Sequence, residues 1–201
     1  LVINRHGQIV LRNQALSLGL VGDAAQAITG LLAHFPTPLD KQGTARTSMT
    51  REALNLAQDT TLAPFVPLCE TLRTALPNAI WVGDSTAPVY AANHLLALPA
   101  PRHFFNASTG YGTLGYGLPA ALGAQLGQPQ LPVIALVGDG GVMFTLSELA
   151  TAVEYRLPVV ILLWHNHGYE EIRRYMDNHG VERLGVDIQA PDFITLASGF
   201  G

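Results

Sequence analysis

Residues 137–149 read VGDGGVMFTLSEL, which places one carboxylate, Asp139, among the glycines Gly138, Gly140 and Gly141. Between Gly140 and Asn166 lie 25 residues, about the length of one helix and one strand in a single parallel crossover. The two side chains are therefore expected at adjacent strand ends. One carboxylate, one amide oxygen and a carbonyl from the glycine-containing turn after Asn166 make an all-oxygen half shell. Such a set suits a hard cation such as Mg²⁺, which keeps its remaining positions for water and phosphate oxygens. The glycines lead toward a helix expected to start near Thr145, where bare N–H groups and a positive helix end favour a diphosphate. Taken alone, Gly-Asp-Gly after a strand also reads as a tight turn with a capping aspartate, and Asn166 as a turn residue. The spacing between the two favours the metal reading.

The elements around these residues alternate. Apolar runs at 79–84 (AIWVGD), 131–141 (LPVIALVGDGG) and 157–166 (LPVVILLWHN) read as strands, each followed by a helical pattern. Those patterns are APVYAANHLLAL, TLSELATAVEYR and GYEEIRRYM, with a further small-residue helix at 114–127. In the second, Thr145 and Glu148 fit a capping box, with Leu146, Leu149, Ala150 and Val153 on one face. Strands apolar on both faces predict an α/β fold: a doubly wound parallel sheet with helices on both faces. Ligands of such sheets bind beyond the carboxyl ends of the strands. That edge holds Gly83, Asp84, Gly138, Asp139, Gly140, His165 and Asn166.

Upstream, residues 1–36 read as a small unit, with LVIN and QIVL as short strands and a helix over VGDAAQAITGLLAHF capped by Asp23. Residues 37–50, rich in Thr, Gly and Pro without apolar period, read as a linker. The main domain is expected over 51–201. There is no initiator methionine, and the chain stops at ASGFG just after a helical pattern, so a fragment truncated at its carboxyl end is expected.

Composition excludes several classes. With 11 Lys and Arg against 15 Asp and Glu, the net charge is −4 and no basic stripe exists to meet a nucleic acid. No apolar run approaches the length of a bilayer crossing, so no membrane partner is expected. The single cysteine, Cys69, reads as a small buried hydrophobe and fits a reducing, cytoplasmic compartment. His94 and His103 have no partner at ligand spacing, and Tyr111 and Tyr116 flank GYGTLGYG either as pocket walls or as core.

GDG, 25 residues, then N resembles the thiamine-diphosphate motif, and the stretch from 75 to 201 resembles the diphosphate-binding domain of the acetolactate synthase, pyruvate decarboxylase and benzoylformate decarboxylase superfamily. The resemblance implies thiamine diphosphate and Mg²⁺ as cofactors, with Asp139, Asn166 and the Gly168 carbonyl as metal ligands. Within GYGTLGYGLPAALG it implies that Leu114 supports the bent cofactor and that the Gly112 carbonyl meets its aminopyrimidine. GDSTA makes Ser85 and Thr86 diphosphate contacts, beside Gly138, Gly140 and Gly141. Residues 1–36 resemble the tail of the family's middle domain. The family usually carries two asparagines where this chain has His165-Asn166. Its activating glutamate belongs to a pyrimidine domain, so no catalytic residue is expected here and the chain alone is expected to be inactive. A homodimer or homotetramer is implied, because the family's site lies between subunits.

The implied substrates are 2-oxo acids, cleaved by decarboxylation or joined to a second carbonyl. The stretch HGYEEIRRYM resembles members acting on basic 2-oxo acids such as 2-ketoarginine, with Glu170 or Glu171 facing a guanidinium group. The same charges also fit i, i+3 pairs on a solvated helix. The rival reading is a non-catalytic phosphate- or nucleotide-binding module. Its only dinucleotide-like signature, GYGTLG at 110–115, follows no clear apolar strand.

Overall fold

The computed structural model describes residues 2–4, 19–35, 42–98 and 100–201. The chain divides into two compact units, Leu1–Leu54 and Asn55–Gly201. In the first, β1 (Val2–Asn4) pairs in parallel with β2 (Gly19–Val21). Helix α1 (Ala24–Leu32) follows, and Asp23 caps it by accepting from the Ala25 and Gln26 amides at 3.0 and 3.2 Å. The expected strand QIVL and residues 37–41 of the expected linker lie outside the described residues.

The rest of that linker is not loop. Helix α2 spans Gln42–Leu54, running through the segment whose composition suggested a connector. It forms without an apolar face, and its described side chains are almost wholly exposed. Thr47 and Thr50 return their hydroxyls to the carbonyls of Gly43 and Arg46, each at 2.8 Å, so these threonines do not compete with the helix ladder. Missing periodicity therefore signalled the absence of a buried face, not the absence of a helix.

The second unit opens with two 3₁₀ turns and α3 (Val66–Ala75), whose Cys69 is free and buried; burial pushes its thiol pKa up. Then come β3 (Ile80–Gly83), α4 (Ala87–Leu95), β4 (Phe104–Asn106), α5 (Gly117–Gly127) and β5 (Val133–Gly138). After the single turn α6 (Asp139–Val142) follow α7 (Glu148–Glu154), β6 (Val159–Trp164), α8 (Glu170–Asn178) and α9 (Phe193–Phe200). The sheet order is β4-β3-β5-β6 and every pairing is parallel.

Strand parity divides the core. Ile80, Val82, Val133, Ala135 and Val137 face α5 through Leu118, Ala121 and Leu122. Trp81, Ile134 and Leu136 face the opposite layer, where Val89 of α4 and Leu72 of α3 cover them. Helices on both faces of a parallel sheet are the architecture the apolar strands predicted. Strand β4 starts beside His103, where the sequence suggests a strand start, and is only three residues long. β6 differs from the continuous burial its sequence suggested: it is an edge strand of this sheet, and Val160 and Trp164 are exposed.

Helix α7 also departs from expectation. Its first residue is Glu148, three beyond the predicted start, and no capping box forms. Thr145 instead gives its hydroxyl to the Gly115 carbonyl at 3.0 Å, while Glu148 accepts from Thr151. The buried stripe becomes Leu146, Leu149 and Ala152, leaving Val153 exposed. Among the described residues, no helix is long and apolar enough to cross a membrane.

Helix α5 offers a contrast within one element: Leu118 is fully buried while Leu126 is 56% exposed. Leu118→Ala is expected to lower unfolding free energy by about 2–5 kcal/mol. Leu126→Ala is expected to change it by no more than about 0.5 kcal/mol. Urea titrations of both variants measure the difference.

Candidate functional site

The site is built at the carboxyl edge of β5. Gly138 pairs with Trp164, so the residues just beyond them, Asp139 and His165-Asn166, leave adjacent strand ends together. Asp139 is buried, with 1% of its surface exposed. Its Oδ1 accepts from the Gly140 amide at 2.8 Å and its Oδ2 from the Gly168 amide at 3.2 Å. One terminal atom of the Asn166 amide stands 2.9 Å from the Gly168 carbonyl oxygen and 3.2 Å from Asp139 Oδ1. As nitrogen, that atom donates to both; as oxygen, it brings a third oxygen beside the other two, a set suited to a cation. Octahedral Mg²⁺ ligands at about 2.1 Å stand about 3 Å from one another, which is the spacing of this set. Among the described residues, no three His, Cys, Asp or Glu side chains gather as an alternative metal cluster.

Gly168 makes the turn possible. Its φ is +142°, and a Cβ there would lie 2.2 Å from the Val186 carbonyl oxygen. That close approach lets the Tyr169 amide donate to the same carbonyl at 2.9 Å, and Gly168 bridges to Asp187. Arg173 braces the turn from α8. Its guanidinium pairs with Glu170, donates to Asp187 at 2.8 Å and reaches the Asn166 carbonyl at 3.1 Å. Glu170 and then Asp187 push the already high guanidinium pKa further up.

The other predicted contacts border the same cleft as this turn. The cleft holds about 640 Å³ of empty space, its solvent-open part included, and is lined by Ser85, Thr86, Gly112 and Leu114. Gly138, Asp139, Gly140, Gly141, Asn166 and Gly168 line it too, with Thr86 lying against Gly138. Every residue singled out for cofactor or metal contact thus borders one space. The Ser85 hydroxyl is buried at the cleft wall beside the Tyr90 side chain, where it can turn its hydrogen toward an anionic ligand. The Gly138, Gly140 and Gly141 backbone that borders the cleft belongs to the end of β5 and to α6, which begins at Asp139 itself, and not to the start of a helix near Thr145. The Gly112 amide is engaged by the Ala107 carbonyl at 3.0 Å.

Other placements differ from expectation. Tyr111 is fully exposed, Tyr116 is exposed too, and neither lines the cleft. Tyr90 and Tyr169 do so instead. Tyr90 lies one helical turn beyond Thr86, and the Tyr169 ring lies against Gly140, where a Cβ would stand 2.6 Å from it. A bare glycine opposite an aromatic residue was the available signal, but only the fold brings the two together. Glu170 and Glu171 line the cleft as well, yet each pairs with the arginine three residues on, Arg173 and Arg174. His165 and His167 contact one another, Nε2 to Nδ1, at 2.9 Å.

A parallel sheet, an acidic strand end and a glycine-walled cleft bordered by a Ser-Thr pair define an α/β domain for a phosphorylated ligand. Residues 83–201 match the family described as "Thiamine pyrophosphate enzyme, C-terminal TPP binding domain", and the chain belongs to it. A probable 2-ketoarginine decarboxylase, AruI, of Pseudomonas aeruginosa is 39% identical over 92% of this chain and 34% of its own length. The benzoylformate decarboxylase of the same organism is 33% identical over 90% of this chain and 34% of its own length. An acetolactate synthase large subunit of Parasynechococcus marenigrum is 28% identical over 94% of this chain and 32% of its own length. The chain spans about a third of the length of these curated relatives. Among solved structures, a thiamine diphosphate-dependent 4-hydroxybenzoylformate decarboxylase of Rhodococcus jostii aligns with a TM-score of 0.61 at 34% identity. That alignment covers 68% of this chain and 26% of that one.

The turn gives a direct prediction. Gly168→Ala cannot keep both its backbone angle and its distance to Val186, so the 166–168 turn is expected to open. Thermal melts are expected to show a lower midpoint, and amide exchange at Tyr169 to accelerate.

Proposed function

We propose that the cleft binds thiamine diphosphate through Mg²⁺ and serves an enzyme that breaks or forms a carbon–carbon bond of a 2-oxo acid. The observation that carries this reading is the placement of one Asn166 amide atom 2.9 Å from the Gly168 carbonyl oxygen and 3.2 Å from Asp139 Oδ1, in a cleft that the Ser85 hydroxyl also borders. In this reading Asp139, Asn166 and Gly168 hold the ion, and Ser85, Thr86, Gly138, Gly140 and Gly141 receive the diphosphate. Leu114 supports the cofactor from below, and the Gly112 carbonyl orients its aminopyrimidine. When bound, the cofactor supplies a nucleophilic carbon and an electron sink for the carbon that loses carbon dioxide. The residues of this chain anchor and orient. The activating glutamate is assigned to a pyrimidine domain of another subunit in a cytoplasmic homodimer or homotetramer, and the 201 residues alone are expected to be inactive. Residues 1–36 are assigned to the tail of the family's middle domain.

A basic 2-oxo acid is the preferred substrate class, supported by the similarity to a probable 2-ketoarginine decarboxylase. Glu171 is the better candidate to meet a substrate guanidinium. Its partner Arg174 is 58% exposed, whereas the Arg173 that holds Glu170 is 17% exposed and is also tied to Asp187 and Asn166.

Calorimetry tests the cofactor assignment. Thiamine diphosphate is expected to bind only with Mg²⁺ present, and Asp139→Asn to weaken binding by about 10- to 100-fold or more. Metal-independent binding, or preferential binding of NAD, would favour a nucleotide-binding module instead. For the substrate, the full-length protein is expected to decarboxylate 2-ketoarginine in preference to pyruvate. Glu171→Gln is expected to erode that preference through KM, whereas an unchanged ratio would remove Glu171 from the substrate pocket.

A further inference from the structure

Asp84 is a carboxylate in the interior at the end of β3, 1% exposed, and its side chain lies outside the set that lines the cleft. Its Oδ1 accepts from the Ser85 amide at 2.8 Å, and its Oδ2 accepts from the Gly115 amide, 31 residues away in sequence, at 2.8 Å. The Tyr116 and Gly117 amides also turn toward it, so it sits at the positive end of α5, which has no side-chain cap of its own. Burial nevertheless pushes its pKa up, against the pull of those amides. A buried acid held at that cost to the charged form needs a reason beyond folding.

Gly115 supplies it. Its φ is +81°, and a Cβ there would stand 2.8 Å from Phe144 Cβ. While its amide is held by Asp84, its carbonyl accepts from the Thr145 hydroxyl at 3.0 Å. A single residue is thus held through both of its peptide units, from the residue after β3 on one side and from the segment after α6 on the other. Just before it in the chain stand Leu114 and Gly112, which line the same cleft as Asp139, Asn166 and Gly168.

We propose that Asp84 and Thr145 are positioning residues for thiamine diphosphate, fixing Gly115 so that Leu114 and Gly112 stand at a set depth in the cleft that the Asp139–Asn166 pair also borders. The proposal rests on reading the cleft as the thiamine diphosphate site. It assigns the two halves of the ligand to different anchors. Mg²⁺ and the diphosphate depend on Asp139, Asn166 and Gly168, whereas the organic part depends on the Gly115 grip.

The test uses the full chain as wild type, Asp84→Asn and Thr145→Val. Asparagine at 84 turns one acceptor into a donor facing an amide; valine at 145 removes the donor to the Gly115 carbonyl while keeping the shape. Amide exchange without any ligand is expected to accelerate at least tenfold at residues 115–117 in Asp84→Asn. Calorimetry is expected to show thiamine diphosphate affinity, with Mg²⁺, falling at least tenfold in Asp84→Asn and severalfold in Thr145→Val. In Thr145→Val, affinity for Mg²⁺ with inorganic pyrophosphate is expected to change less than twofold; Asp84→Asn also frees the Ser85 amide, so its pyrophosphate affinity is expected to fall, but by less than its thiamine diphosphate affinity. A general folding defect would lower both affinities by the same factor, and that result overturns the proposal. So does unchanged exchange at 115–117, or unchanged thiamine diphosphate affinity in both variants. If Asp84→Asn does not fold, Thr145→Val decides by the same comparison of the two ligands. A wild type that binds pyrophosphate but not thiamine diphosphate overturns both the cofactor reading and the proposal. Accelerated exchange at 115–117 would then show that the grip on Gly115 stands as a feature of the fold alone.

Discussion

A carboxylate buried at the end of a parallel strand is the constraint around which the second unit is arranged. Asp139 is almost wholly out of solvent and needs either hydrogen bonds to both oxygens or a counter-charge. The chain supplies two amides, from Gly140 and Gly168, and one side-chain amide, from Asn166, whose orientation decides between a bonded network and a three-oxygen set. Each partner comes from a different point in the chain, and the β5–β6 pairing is what assembles them. The helices that cover the sheet, the bare backbone of α6 and the brace from Arg173 all serve to hold that edge in place.

Much of this edge was legible in the residues. Continuous apolar strands ending in Gly-Asp or His-Asn announced a parallel sheet, and the interval between Gly140 and Asn166 matched one crossover. Tyr169 and Asp84 were harder to read as partners. Tyr169 matters because a ring packs on Gly140, and Asp84 because its oxygen meets an amide 31 residues away, and neither relation has a local pattern. Helix boundaries failed for a related reason. The Ser/Thr-x-x-Glu signature at Thr145 and Glu148 is a local rule, and a tertiary acceptor, the Gly115 carbonyl, claimed the hydroxyl. At α2 the opposite occurred: a segment without apolar period became a helix because nothing in it needed to be buried.

The acidic start of α8 carries two glutamates in unequal circumstances. Glu170 belongs to a network that reaches the Asn166 carbonyl through Arg173, so its charge contributes to the shape of the 166–168 turn. Glu171 pairs with an arginine that is largely in water, where such pairs contribute little. Neighbouring residues of one type therefore separate into structural and adjustable positions. A charge change at Glu171 would therefore disturb the 166–168 turn less than one at Glu170.

The wall behind the 166–168 turn is backbone. What stands 2.2 Å from an added Cβ at Gly168 is the carbonyl of Val186, and the amide of Ile188 is the next atom toward it. Main-chain atoms are the same in every amino acid, so substitution along the 181–188 segment leaves that wall intact so long as the chain keeps its path. The position enclosed at 168 is therefore confined to a single residue type, whichever side chain stands at 186.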